Sequence, residues 1–184
     1  MPNHITNRIK FYGKQENIDK VLSLISGEKT HIDFEKIIPM PEHIYRGNLG
    51  QEEREIYGSD NWYDWCINNW GTKWNAYHTT LDERENVLEF DTAWSCPTWI
   101  LEALAKLCYE YGVSFDGEWA DEDCGNNVGT FESVEDEFYY EYVNNGSNEA
   151  YEIYVSLKGE HECLGRDDDG NWVMYSCDNC PNPC

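Results

Sequence analysis

The chain has 184 residues, long enough for one sizeable hydrophobic core or for one domain with an appendage. At 40% hydrophobic and 15% aromatic its composition is that of a folded protein and excludes a disordered one. Thirteen Lys and Arg stand against thirty-six Asp and Glu, a net charge of −23, and a surface of that sign repels nucleic acid and attracts basic partners.

Residues 4–12 alternate, with Ile5, Asn7, Ile9 and Phe11 on one side, and predict a first strand that stops at Gly13. Asn17 is placed to cap the next helix, whose apolar stripe is Ile18, Val21, Leu22 and Ile25. Phe34 to Ile38 reads as a short strand closed by Pro39 and Pro41. The region from Glu42 to Asp60 reads as a loop with one helical turn around Glu52 to Ile56.

Residues 61–99 hold Trp62, Trp65, Trp70, Trp74, Trp94 and Trp99, six of the eight tryptophans, so the core is expected there. Tyr63, Ile67, Trp70 and Trp74 fall on one helical face, with Gly71 ending or bending the helix near Trp70. Val87 to Thr92 has the period of a strand, and Pro97 opens a helix over 98–111 that ends at Gly112. Val113 to Trp119 follows as a strand. Beyond residue 125 the pattern reads as β throughout: a strand around Phe138 to Tyr142, a turn at Asn144 to Gly146, and a strand with Tyr151, Ile153, Val155 and Leu157 on one face. A last hairpin, Glu162 to Tyr175, turns at Asp168-Asp169-Gly170.

The order predicts an α+β fold, a ferredoxin-like βαββαβ plait over residues 1–125 with an aromatic-rich helical insertion at 42–80. Residues 126–184 are expected to form a C-terminal antiparallel β extension with a cysteine-rich tail. The opening MPNHITNRIKFYG has no apolar signal region and no window has the length of a membrane span, so a soluble, cytoplasmic protein is expected.

Met1-Pro2-Asn3, Ile37-Ile38-Pro39-Met40-Pro41, Trp62-Tyr63-Asp64-Trp65, Trp70-Gly71-Thr72-Lys73-Trp74 and Phe90-Asp91-Thr92-Ala93-Trp94-Ser95 together resemble the YubB-like family. Proteins of that family carry a ferredoxin-like domain and occur on bacteriophages and plasmids. The resemblance implies the plait and a mobile-element origin in a bacterial host cell. It supplies no activity, and "ferredoxin-like" names a topology without an iron–sulfur cluster.

Three constellations carry candidate chemistry. Cys177 and Cys180, with Cys163 and Cys184, have the thiolate softness for one tetrahedral structural zinc. Trp70, Lys73, Trp74, Asp91 and Trp94 form a candidate aromatic pocket that stacks a base and pairs its phosphate with the lysine, although the same rings at helical spacing also have a packing role. Third, no Lys or Arg occurs between Lys106 and Lys158, and there Asp116, Glu118, Asp121, Glu122, Asp123, Glu135, Asp136 and Glu137 form a candidate partner-binding acidic face. No HExxH, GxSxG or phosphate loop is present, and Cys66, Cys96 and Cys108 lie in apolar runs that leave a thiol inert. The leading expectation is a non-enzymatic accessory protein whose acidic face binds a basic or nucleic-acid-binding host protein, such as a defence factor, by imitating nucleic acid. It binds no nucleic acid itself and no membrane. The alternative is a nucleotide or small-ligand binder, or an enzyme, using the tryptophan pocket.

Overall fold

Strand β1 (His4–Tyr12) lies at the centre of the sheet because its odd-numbered side chains Ile5, Asn7, Ile9 and Phe11 are all buried while its even-numbered ones remain accessible. The computed structural model describes residues 3–175. After β1 come α1 (Gln15–Ile25), the small helices α2 (Phe34–Ile37), α3 (Gln51–Tyr57) and α4 (Trp62–Trp70), the hairpin β2 (Tyr77–Asp82) and β3 (Val87–Ala93), then α5 (Thr98–Glu110) and β4 (Ser114–Asp121). The sheet order β2-β3-β1-β4 with antiparallel pairing throughout is the ferredoxin-like plait that the sequence predicts. Strands β5 (Val128–Val134) and β6 (Glu137–Tyr142) continue the same sheet from the free edge of β4. The chain then folds back as α6 (Asn148–Lys158) and ends in the small hairpin β7 (Leu164–Arg166) and β8 (Trp172–Met174).

Several local expectations are corrected. Residues 34–37 are helical rather than extended, because Asp33 caps them by accepting from the Glu35 amide at 3.0 Å while Asn75 holds both the Phe34 amide and the Asp33 carboxylate. Four residues are too few for periodicity to separate helix from strand. The second strand of the plait is instead Tyr77–Asp82, an edge strand with no buried residue and therefore little apolar signal. Helix α1 begins at Gln15, ahead of Asn17.

The largest correction is α6. Tyr151, Ile153, Val155 and Leu157 alternate as a strand would, yet Ser147 accepts from the Ala150 amide at 3.1 Å and starts a helix that Gly159 ends. Its buried residues, Ala150, Tyr151, Ile153 and Tyr154, recur at helical spacing. The expected features at Gly71 and at 167–171 are present. Gly71 closes α4 in the left-handed conformation (φ 77°), and Asp167 accepts from the Asp169 and Asn171 amides to make the last turn.

The sheet has two covered faces. Helices α1 and α5 cover the first, over Ile5, Ile9, Leu88, Phe90, Phe115, Trp119 and Phe131. On the second face α6 covers only one end, where Ala120 and Val128 meet Ala150, Tyr151, Ile153 and Tyr154. Neighbouring residues of a strand point to opposite faces, so Trp119 and Ala120 serve different cores. The core is not centred on the tryptophan block. Trp74, Trp94 and Trp99 are 37%, 42% and 52% exposed, whereas Trp119 on β4 is fully buried.

Candidate functional site

The end of the second face that α6 leaves open is a trough of about 830 Å³. Even-numbered residues of β1, β4 and β5 reach it, so β1 supplies Arg8 and Lys10, β4 Asp116 and Glu118, and β5 Thr130 and Glu132, while the register of the β5–β6 pair brings the odd-numbered Tyr139 and Glu141 of β6 to the same face. Four carboxylates therefore stand against two cations. Arg8 is fully engaged: it pairs with Glu89 and with Glu118 (3.1 Å), and donates to the Ser156 hydroxyl (2.7 Å) and carbonyl (2.9 Å) at the end of α6. That bond set closes one end of the trough. At the other end, Tyr12 donates to Asp116 at 2.9 Å, and slight burial together with that carboxylate raises the Tyr12 hydroxyl pKa.

Asp116 and Glu132 are directly opposite each other across β4 and β5. Like charges in that position destabilise a sheet, and a bound cation relieves the repulsion. Lys10 lies opposite Asp116 on β1 but makes no ion pair among the described residues.

The eight acidic positions singled out by sequence do not form one surface. Asp116 and Glu118 line the trough. Asp121 is buried and holds the loop after β4, accepting from Asn3, from Asn127 and from the Asp123 amide. Glu122 and Asp123 lie on that loop, and Glu135, Asp136 and Glu137 are at the β5–β6 turn, where Glu137 accepts from the Tyr139 hydroxyl. Glu89, Glu132 and Glu141 were missed. Local pattern carried no signal for them, because it is strand pairing that sets Glu132 and Glu141 beside Asp116 and Glu118, and Glu89 reaches the trough only through its ion pair with Arg8.

The proposed aromatic pocket also divides. Trp70 is core, donating from Nε1 to the Ile38 carbonyl (2.9 Å) and packing edge-on to Phe34 and Trp65. Asp91 is on the opposite face of the sheet, accepting from Thr6 at 2.7 Å and facing His78 Nδ1 at 2.9 Å. Lys73, Trp74 and Trp94 do come together: the Lys73 ammonium lies 4.5 Å from the Trp74 ring centre, 4.7 Å from that of Trp94 and 5.7 Å from that of Tyr63.

Of the candidate zinc ligands, Cys177, Cys180 and Cys184 lie outside the described residues, and Cys163 is buried at the start of the last hairpin. Among the described residues no group of three or more His, Cys, Asp or Glu is placed to hold a metal ion. Burial pushes the Cys66 and Cys108 thiols from 9.0 up to about 12, and Cys96 well above its ordinary value. These three thiols are inert packing groups, as their apolar surroundings imply. In the native chain at pH 8, alkylation followed by peptide mass mapping should leave Cys66, Cys96 and Cys108 unmodified until denaturant is added; prompt native labelling of any of them would contradict this burial. The same shifts set a pH dependence. A thiol whose folded pKa exceeds its unfolded one stabilises the fold fully below pH 9 and progressively less as pH rises from 9 towards 12. Tyr77, raised by burial and by Asp91 to about 12, adds in the same direction. Urea midpoints should be flat up to pH 8 and fall between pH 9 and 11, and a flat profile through pH 11 would remove the argument.

Residues 73–160 match the family model described as the ferredoxin-like domain in Api92-like protein. The match runs from Lys73 through β2, β3, α5, β4, β5 and β6 to α6, so it takes in most of the trough but not β1. No curated protein and no solved structure matches the chain. Among the described residues, no helix is long and apolar enough to cross a membrane.

Proposed function

We propose that the chain is a non-enzymatic binding protein that receives a basic segment of a partner protein in the trough between α6 and the β5–β6 turn. The observation that carries this reading is the opposed pair Asp116 and Glu132, with Glu118 and Glu141 beside them on the same concave face. An arginine or lysine side chain entering there replaces a repulsion by charge-assisted hydrogen bonds. Asp116 and Glu118, two residues apart on one strand, are spaced by about 6.6 Å along it, so successive cations of an extended segment meet successive carboxylates. The similarity to phage and plasmid proteins of the YubB-like family favours a mobile-element protein, and a partner that handles nucleic acid in the host fits the same electrostatics: carboxylates displayed along a sheet occupy the surface that phosphates would. Defence factors are one such class of partner.

The test is affinity capture from a bacterial lysate at low salt, followed by a salt gradient. A basic protein retained in stoichiometric amount and released as ionic strength rises is the expected result, because screening weakens exposed charge pairs. Recovery of the chain alone, or of a complex indifferent to salt, removes the proposal.

A further inference from the structure

In a chain with net charge −23, Arg46, Arg54 and Lys73 converge on one pocket of about 460 Å³ that is lined with them by Trp62 and Tyr63 and by no carboxylate. It lies in the helical insertion, away from the trough. Two of the three cations have no acidic partner among the described residues. Arg54 and Lys73 instead approach the same ring, at 5.3 Å and 5.7 Å from the centre of Tyr63. Aromatic faces hold these groups in place without neutralising them, so their charges remain available. Arg46 is anchored differently. Its Nη1 pairs with Glu35 at 3.3 Å and its Nη2 donates to the Met40 carbonyl at 2.8 Å, leaving the other guanidinium donors uncommitted.

The wall opposite is also fixed. Trp62 Nε1 donates to the Gly47 carbonyl at 3.0 Å and ties the loop 47–49 to the start of α4. The ring of Trp94, which covers Lys73, is placed by a left-handed backbone (φ 72°) that a bulky residue adopts only at a cost, with its amide donating to the Asn3 carbonyl at 3.0 Å. Trp94 does not line the pocket itself; fixing its ring fixes the Lys73 ammonium that does.

We propose that this pocket binds a small nucleotide-like phosphate ester, with the phosphate among Arg46, Arg54 and Lys73 and the planar ring against Trp62 or Tyr63. The volume is within the range of small-molecule sites, and the planar guanidinium fork can donate two parallel hydrogen bonds to a pair of phosphate oxygens. The ring adds affinity by stacking, which an inorganic anion lacks.

The experiment is a tryptophan-fluorescence titration of the full chain with AMP, with ATP and with inorganic phosphate, at fixed ionic strength. AMP should bind about tenfold or more tightly than inorganic phosphate, and Arg54→Ala and Lys73→Ala should each weaken AMP by about tenfold or more. Lys10→Ala, in the trough, should leave AMP binding unchanged. Because Lys73 packs between two tryptophans, thermal melts accompany each variant, and exposed Arg54 carries the test if Lys73→Ala lowers the melting temperature. No saturable binding of AMP or ATP at millimolar concentration, equal affinity for AMP and inorganic phosphate, or indifference to Arg54→Ala would each overturn the proposal. None of these outcomes bears on the trough, whose residues are separate.

Discussion

Trp119→Ala is expected to lower the free energy of unfolding by about 3–5 kcal/mol, the range for removing a large ring from a packed core. For a chain of this size that is a fall in melting temperature of roughly 6–20 °C. The ring is fully buried, stacks on Phe131 with centroids 6.2 Å apart, and meets Tyr142 edge-on at 5.2 Å. It also covers Gly129, its partner across β4 and β5, so closely that a Cβ on Gly129 would stand 2.1 Å from the indole and 2.4 Å from the Glu141 carbonyl oxygen. Gly129 is therefore the residue that leaves room for the ring. Two further results follow from that contact. Trp119→Phe should cost less than half as much as Trp119→Ala, because it retains most of the apolar contact and removes an indole Nε1 that is buried without a hydrogen-bond partner. Gly129→Ala should be strongly destabilising alone but less than additive with Trp119→Ala, since removing the ring removes the closer of its two clashes. Chemical denaturation of the native chain and these four variants measures all three quantities. Strict additivity in the double variant would show that the ring and the glycine are not in contact.

The second large effect is on binding. Against a fluorescent arginine-rich peptide at low salt, the double variant Asp116→Lys, Glu132→Lys should bind about 100-fold more weakly than the native chain. Glu135→Lys, Asp136→Lys, which changes the net charge equally at the β5–β6 turn, should bind no more than about threefold more weakly. Equal losses in the two variants would mean that the peptide senses only overall charge, and the trough would then have no special role. Arg8→Ala should act in the opposite sense. It frees Glu89 and Glu118 for the peptide, so binding tightens by several-fold. It also removes the guanidinium that fastens Ser156 of α6 to the sheet, so stability falls by about 1–3 kcal/mol. Tighter binding from a less stable protein is an outcome that general loss of structure does not produce.

Much of the fold was accessible from local pattern. β1 and α5 repeat their apolar residues at strand and helix period over nine and thirteen residues, long enough for one reading to win. The short or edge elements were not accessible. Phe34–Ile37 is helical because Asn75, some forty positions away, completes its cap, and Tyr77–Asp82 is a strand because β3 is there to pair with it. Asn148–Lys158 misled through an alternation that its Ser147 cap outweighs. The tryptophan block misled for a related reason: a large ring can be buried, or can cover a cation at the surface, and sequence does not distinguish the two.

The amino-acid sequence alone determined the charge, its segregation into a stretch free of Lys and Arg from 107 to 157, the plait, and the inertness of the thiols in apolar runs. Charge and apolar surroundings are additive or local, so they survive without knowledge of neighbours, and the plait was legible from its long elements β1, α1, α5 and β4 although its second strand was not. Only the tertiary structure decided which charges act together. Strand pairing set Asp116 against Glu132 and left Asp121 buried as a structural carboxylate, and α6 covered one end of the open face while leaving the other as a trough. The helical insertion likewise gathered Arg46, Arg54 and Lys73 from separate segments into one pocket. Coulomb interactions fall off with distance and are screened within about 10 Å at ordinary salt, so a charge acts only on what the fold places beside it.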